Sequence, residues 1–172
     1  LSMFFVGGAK LKHILSTTLG SLLGAISIAM IFEHSRTRII TFVKSILYGG
    51  GINDQVNQAL LALGSGGLFG QGIGNGKQSN LFLPESYGDF IFAIIGEELG
   101  FIGAVVLLTG YFSIFLAGLI IAKKARDTFG QLLAFGISFS IITNVLINIA
   151  VTTGIFPTTG VPLPFISYGG TS

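Results

Sequence analysis

The stretch from Phe90 to Ala122, FIFAIIGEELGFIGAVVLLTGYFSIFLAGLIIA, decides how this chain folds. Its only charges, Glu97 and Glu98, sit near its start. About 20 mostly apolar residues suffice for a helix to cross a bilayer, so this run predicts a membrane-spanning helix. Two further runs qualify: one from about Ile14 to Phe32 without a charge, another from about Gln131 to Phe156 inside a charge-free tail that reaches Ser172. Residues 1–8 read as the end of an earlier span, and residues 165–172 as the approach to a later one.

Composition agrees. Hydrophobic residues make up 51% of the 172, charged residues only 9%, and the mean hydropathy is +0.83. A soluble domain carries roughly a quarter charged residues, so this chain could not build an aqueous surface. With no cysteine, disulfides and thiolate metal sites or nucleophiles are excluded. A net charge of +2 is too small to suggest nucleic acid. No signal peptide is visible ahead of Leu1, and both ends read as cut, so a fragment of a larger protein is expected. The fold class expected is an all-α polytopic membrane protein. About three full spans (14–32, 90–122, 131–156) and a long outer loop with short helices form one membrane domain over 1–172.

The basic residues give the expected sidedness. Lys10, Lys12 and His13 form one short link, and Lys123, Lys124 and Arg126 another. Short basic loops are cytoplasmic, and two spans separate these, so both fit on the inside. The loop 33–89 is then extracytoplasmic, as is the segment 157–170. Arg36, Arg38, Lys44 and Lys77 in that loop are balanced by Glu33, Asp54, Glu85 and Asp89.

Loops longer than about 12–15 residues are usually functional or disordered. This one keeps apolar runs such as Ala59 to Leu63 and Leu81 to Leu83, which argues for order. Arg36 to Leu47 has helical spacing, and either lies along the interface or packs as a short helix. Gly64 to Gln78 is the densest glycine cluster. Glycines there serve tight turns, their commoner role, or expose successive amides that cradle an anion.

Leu83-Pro84-Glu85-Ser86-Tyr87-Gly88-Asp89 leads straight into the span. A lone Asp89 could simply complement a helix N-terminus, which explains Glu85, Glu97 and Glu98 less well. At about 100° per residue, Glu97 lies roughly 80° around the axis from Asp89 and Glu98 roughly 180° away. Ionisable groups within a span point to a functional cavity or a buried pair. Asn144 and Asn148 share a face with Thr152, suited to interhelical hydrogen bonds or, less commonly, to lining a substrate groove. The prolines of Pro157 to Pro164 forbid a continuous helix. Non-helical backbone at membrane depth must be buried in protein or line a cavity, so a re-entrant-like segment beside the outer loop is expected.

Five linked pieces, Gly64 to Asn75, Leu83-Pro84-Glu85, Asp89 to Ala93, Gly96 to Gly100 and Pro162 to Gly170, resemble the SEDS family of bacteria (shape, elongation, division and sporulation) in order and spacing. Gly72 to Asn75 with Lys77-Gln78 is more similar to the FtsW and SpoVE branch than to RodA. Members have more spans, so the resemblance implies a C-terminal half without its last helix, expected to be inactive alone. It implies a peptidoglycan glycosyltransferase in the bacterial cytoplasmic membrane, polymerising lipid II with its active site outside. Implied partners are a class B penicillin-binding protein transpeptidase, other division or elongation proteins and membrane lipids.

Asp89 matches the family's proposed catalytic aspartate, although Tyr87-Gly88 stand where the family often has His-Thr. A carboxylate there can take the proton of the attacking sugar hydroxyl. Glu85 is the alternative base, and Lys77, Gln78, Glu85, Arg36, Arg38 and Ser167 are the expected substrate contacts, with Glu97, Asn144 and Asn148 in support. Positive charge for the diphosphate comes from the cations, from loop amides, or from a divalent cation (Mg or Mn) of unknown ligands. A lipid-precursor flippase and a scaffold for the transpeptidase are the alternative readings.

Overall fold

The computed structural model describes residues 3, 7–8, 10–48, 54–76 and 90–167. Among these the chain is helical: α1 (Leu11–Ile31), α2 (Glu33–Tyr48), α3 (Asp54–Gly66), α4 (Ile91–Lys124) and α5 (Thr128–Thr152). Of these, α1, α4 and α5 are long and apolar enough to cross a membrane. The all-helical, three-span architecture expected from the sequence is the one found.

Element ends depart from the sequence reading for local reasons. Lys123 and Lys124 extend α4 by its last turn, where positive charge meets the negative end of the helix dipole. Asp127 accepts from the Gly130 amide at 2.7 Å, an N-cap that starts α5 at Thr128 rather than Gln131. Gly154, at φ 73°, ends α5 at Thr152 rather than Phe156. The helical spacing of Arg36 to Leu47 belongs to α2, which follows α1 after a single residue, Phe32. No residue of α1 is buried.

The core lies between α3, α4 and α5. Val56, Ala59 and Ala62 of α3 meet Phe90, Ala93 and Val151, flanked by Leu60, Leu63 and Ile147. Small residues let these backbones approach closely. A side chain at Gly66 would run into the Gly96 carbonyl, and one at Gly96 into Leu63. A second cluster gathers Tyr111, Val145 and Leu163 between α4 and α5.

The unbroken span expected from Phe90 to Ala122 is interrupted. Gly100 sits at φ 69°, ψ −166°, outside helical geometry and open only to glycine. A regular helix would bond the amides of Phe101 and Ile102 to the carbonyls of Glu97 and Glu98. Here those four groups turn to the glycine segment after α3. Phe101 donates to the Gly67 carbonyl (2.9 Å) and Ile102 to that of Leu68 (3.2 Å). Gln71 donates to the Glu97 carbonyl (2.9 Å) and Gly72 to that of Glu98 (3.0 Å). The break thus leaves none of the four unpaired, as burial demands. Sequence reading missed it because Gly100 looks like any other glycine of an apolar run.

Residues 157–167 turn back from α5 and pack beside it. Asn148 Nδ2 donates to the Val161 carbonyl at 2.8 Å, and the Tyr111 hydroxyl donates to the Pro164 carbonyl. The Leu163 amide donates to Ser167 Oγ at 2.7 Å, while the Ser167 amide returns to the Leu163 carbonyl at 3.0 Å. Leu163 itself is wholly buried. Proline removes amide donors from this segment, so side chains of α4 and α5 supply donors to its carbonyls.

Two outcomes are expected from thermal unfolding of the purified protein in detergent. Gly100→Ala and Gly70→Ala, whose added methyls strike main chain across the break, each destabilise by about 3 kcal/mol or more, whereas Gly110→Ala, facing open space, stays within about 1 kcal/mol of the parent. Tyr111→Phe strips the Pro164 carbonyl of its donor and lowers stability by about 1–3 kcal/mol.

Candidate functional site

The first half of α4, from Ile91 to the Gly100 break, is the base on which the candidate site stands. Phe90, at its head, is buried in the α3–α5 core with Ala93, and Phe92, Ile94 and Gly96 are buried as well. Rigid packing at this point fixes where the chain enters from residue 89. Glu97 and Glu98 occupy the end of the half-helix and part company, as their angular spacing predicts. Glu97 is fully buried. Glu98 is half-buried and turns to the glycine segment, where its Oε1 accepts from the Gly74 amide at 3.1 Å.

That segment is shaped by its glycines: Gly67, Gly70, Gly72 and Gly74 all have positive φ. Gln71 Nε2 closes back onto the Ser65 carbonyl at 3.3 Å. The amides of Gln71, Gly72 and Gly74 are engaged by Glu97 and Glu98. Of the two readings left open for the cluster, the geometry favours turns. These three amides serve the helix break rather than a bound anion.

The other residues singled out from sequence fall in three places. Arg36 and Arg38 are exposed on α2, and Arg38 Nη1 donates to the Thr158 carbonyl at 2.9 Å. Arg38 thereby ties α2 to the segment that follows α5. Asn148 reaches the same segment from α5 and is buried, while Asn144 is half-buried one turn earlier. Thr152 donates to the Asn148 carbonyl within its own helix. Ser167, 4% exposed, uses its hydroxyl as the acceptor that closes the Leu163 turn. Asp89, Glu85, Lys77 and Gln78 lie outside the described residues, as do residues 168–170.

Within that turn Phe165 takes φ 65°, the one non-glycine residue with positive φ among those described, and its ring is exposed. Held strain of this kind needs surroundings that over-determine the backbone. The bonds from Tyr111, Ser167 and Asn148 provide that. Tyr111 and Glu98 were missed as positioning groups in the sequence. A tyrosine inside an apolar span carries a usable signal, since its hydroxyl seeks a partner when buried. Glu98 was passed over because helical spacing puts it roughly 180° around the axis from Asp89.

Among the described residues no three of His, Asp or Glu gather closely enough to hold a metal ion. Glu97 and Glu98 diverge, so these two do not form a ligand pair.

Comparison with known proteins supplies the wider setting. The family model for FtsW, RodA and SpoVE, described as cell cycle protein, matches residues 1–172. A protein named "Probable peptidoglycan glycosyltransferase FtsW" from Trichlorobacter lovleyi is 41% identical over 99% of this chain and 45% of its own length. "Stage V sporulation protein E" of Bacillus subtilis is likewise 41% identical, over 99% of this chain and 46% of its own. The chain spans about half the length of the curated relatives it matches. A solved structure reported under "Structural coordination of polymerization and crosslinking by a peptidoglycan synthase complex" superposes with a TM-score of 0.68. That match covers 98% of this chain and 46% of the other, at 24% identity, and speaks for the fold alone. With the family model matched from end to end and three spanning-length helices in place, this chain belongs to the FtsW, RodA and SpoVE family of multi-pass membrane proteins.

Proposed function

We propose that this chain is part of a peptidoglycan glycosyltransferase that polymerises lipid II at the outer face of the bacterial cytoplasmic membrane. The observation that carries the reading is 41% identity, over 99% of the chain, to a relative named for that activity. Sidedness follows from the basic residues. Lys123 and Lys124 end α4 and Arg126 follows them, while Lys10 and Lys12 flank the start of α1. With both links inside, Phe90 and the glycine segment face out. Residues 157–167 then turn back into the membrane from the outside, where the Val161 and Pro164 carbonyls meet Asn148 and Tyr111.

Asp89 is the general base in this reading. It precedes Phe90, whose burial anchors the start of α4. A carboxylate at the outer surface takes the proton of the acceptor sugar's 4-hydroxyl as that oxygen attacks the anomeric carbon of the donor. The bond to undecaprenyl diphosphate breaks, and the diphosphate leaves with its charge. Lys77 and Arg36 supply positive charge for that leaving group, with Gln78, Glu85 and Ser167 as further substrate contacts. Arg38 contributes what its guanidinium retains beyond the Thr158 carbonyl. Glu97, Asn144 and Asn148 support the site from within the helices.

A class B penicillin-binding protein is the proposed partner, since polymerised strands must be crosslinked. The matched fold comes from a complex whose title joins polymerisation to crosslinking.

The test is polymerisation of lipid II by the purified full-length protein with its transpeptidase. Asp89→Asn is expected to slow glycan formation by about 10²- to 10⁴-fold while folding and partner binding persist. A normal rate in that variant would remove the general base. Movement of lipid II between leaflets by the parent without any glycan would make the protein a transporter instead. Lys77→Ala is expected to raise KM for lipid II by about tenfold, the loss of one charged contact to the diphosphate.

A further inference from the structure

Among the described residues eight glycines take positive φ, and Phe165 is the one residue that does so while carrying a side chain, at φ 65°. For a bulky residue that backbone is a genuine outlier, because Cβ crowds the following carbonyl oxygen. Glycine would remove the cost, and the chain uses glycine wherever else it takes positive φ among these residues. The aromatic side chain at 165 is therefore kept against the preference of its own backbone. It does not serve the fold around it. The ring is 69% exposed, while the turn is closed by buried Leu163, by Ser167 and by the Tyr111 hydroxyl on the Pro164 carbonyl. Strain held in this way points to a role for the side chain that bears it.

That side chain stands within the membrane. Leu163 packs with Tyr111 and Val145, flanked by Leu107 and Ile142, between α4 and α5. At 1.5 Å per residue Tyr111 lies about 18 Å along α4 from Lys123, inside a hydrocarbon core about 30 Å thick. Phe165 follows Leu163 by two residues and shares that depth. Its neighbour Ile166 is exposed as well, and residues 128–172 carry no charge. Such a surface suits a hydrocarbon chain rather than a diphosphate. Bulk lipid does not account for the ring, since the Leu, Ile and Phe side chains that face outward along α1, α4 and α5 meet lipid from ordinary helical backbone. The proposed substrate brings one specific hydrocarbon chain, a polyprenyl tail that enters the bilayer from the same side as residues 157–167. We infer that Phe165 is a substrate-binding residue for the polyprenyl chain of the lipid-linked donor, its ring held out from the 163–167 turn to meet that chain inside the membrane; the choice of substrate rests on the polymerase reading.

A contact with the tail is remote from the reacting carbon and holds ground state and transition state alike, so its loss appears in KM. Phe165→Gly in the full-length protein with its transpeptidase is expected to raise KM for lipid II by about tenfold, the loss of part of an aromatic side chain's apolar contact. Its kcat should stay within about twofold of the parent's. The thermal midpoint of Phe165→Gly should equal or exceed the parent's, since glycine is at ease at φ 65°. Phe165→Leu keeps an apolar side chain and is expected to hold KM within about threefold. A lowered midpoint in Phe165→Gly means that the ring packs against protein, and would overturn the inference. So would a parent-like KM, or a Phe165→Leu variant as impaired as Phe165→Gly. The occupant is identified by irradiating Phe165→p-benzoylphenylalanine in phosphatidylethanolamine and phosphatidylglycerol vesicles that contain lipid II. An adduct on the polyprenyl chain is expected, and adducts with phospholipid or protein alone would sink the proposal. Should the parent make no glycan, the polymerase reading fails, and the adduct then decides the subsite by itself.

Discussion

Within a bilayer a main-chain polar group has no water to turn to, and each one left unpaired costs several kcal/mol. The architecture of this chain answers that constraint at its most exposed point, the break in α4 at Gly100. Two amides and two carbonyls freed there are matched one for one by the segment after α3. Because the exchange joins α4 to residues 67–72, it fixes α3 beside α4 and sets the course of the chain towards residue 77. The same rule governs residues 157–167, where Asn148 and Tyr111 bond to carbonyls that no helix serves.

Burial in this molecule runs opposite to that of a soluble domain. Among the described residues the largest fully buried side chains are Leu163, Glu97, Val145, Asn148 and Thr152, of which three are polar. Leu, Ile and Phe residues stand outward along all three long helices. Against hydrocarbon, burying leucine gains little, so association relies on close packing and hydrogen bonds. Ala59, Ala62, Gly66 and Gly96 supply the close packing, and Asn148, Tyr111 and Glu98 the bonds.

Much of this was legible from the chain itself. Apolar run length placed the three long helices to within a turn or so, and the spacing of Arg36 to Leu47 found α2. The divergence of Glu97 and Glu98 followed from helical geometry alone. Other features escaped because they depend on partners distant in sequence. The Gly100 break is invisible without residues 67–72, which lie about thirty residues earlier in the chain. Ser167 and Arg38 were assigned to substrate on chemistry alone, yet the folded chain gives each a main-chain partner at Leu163 and Thr158. Asp89 owes its assignment to family resemblance, since helix-dipole complementarity would explain a lone aspartate as well.

A joint built from main chain has a bearing on how such proteins diverge. Its bonds do not read side chains, so substitutions at Leu68, Phe69 and Gln71 pass through it unnoticed, provided the positive-φ glycines at 67, 70, 72 and 100 remain. Its sensitivity is to register. One inserted or deleted residue in that stretch would shift every donor past its acceptor. Chain length between Gly67 and Gly72, with glycine kept at its positive-φ positions, is therefore the constrained quantity at this point of the fold.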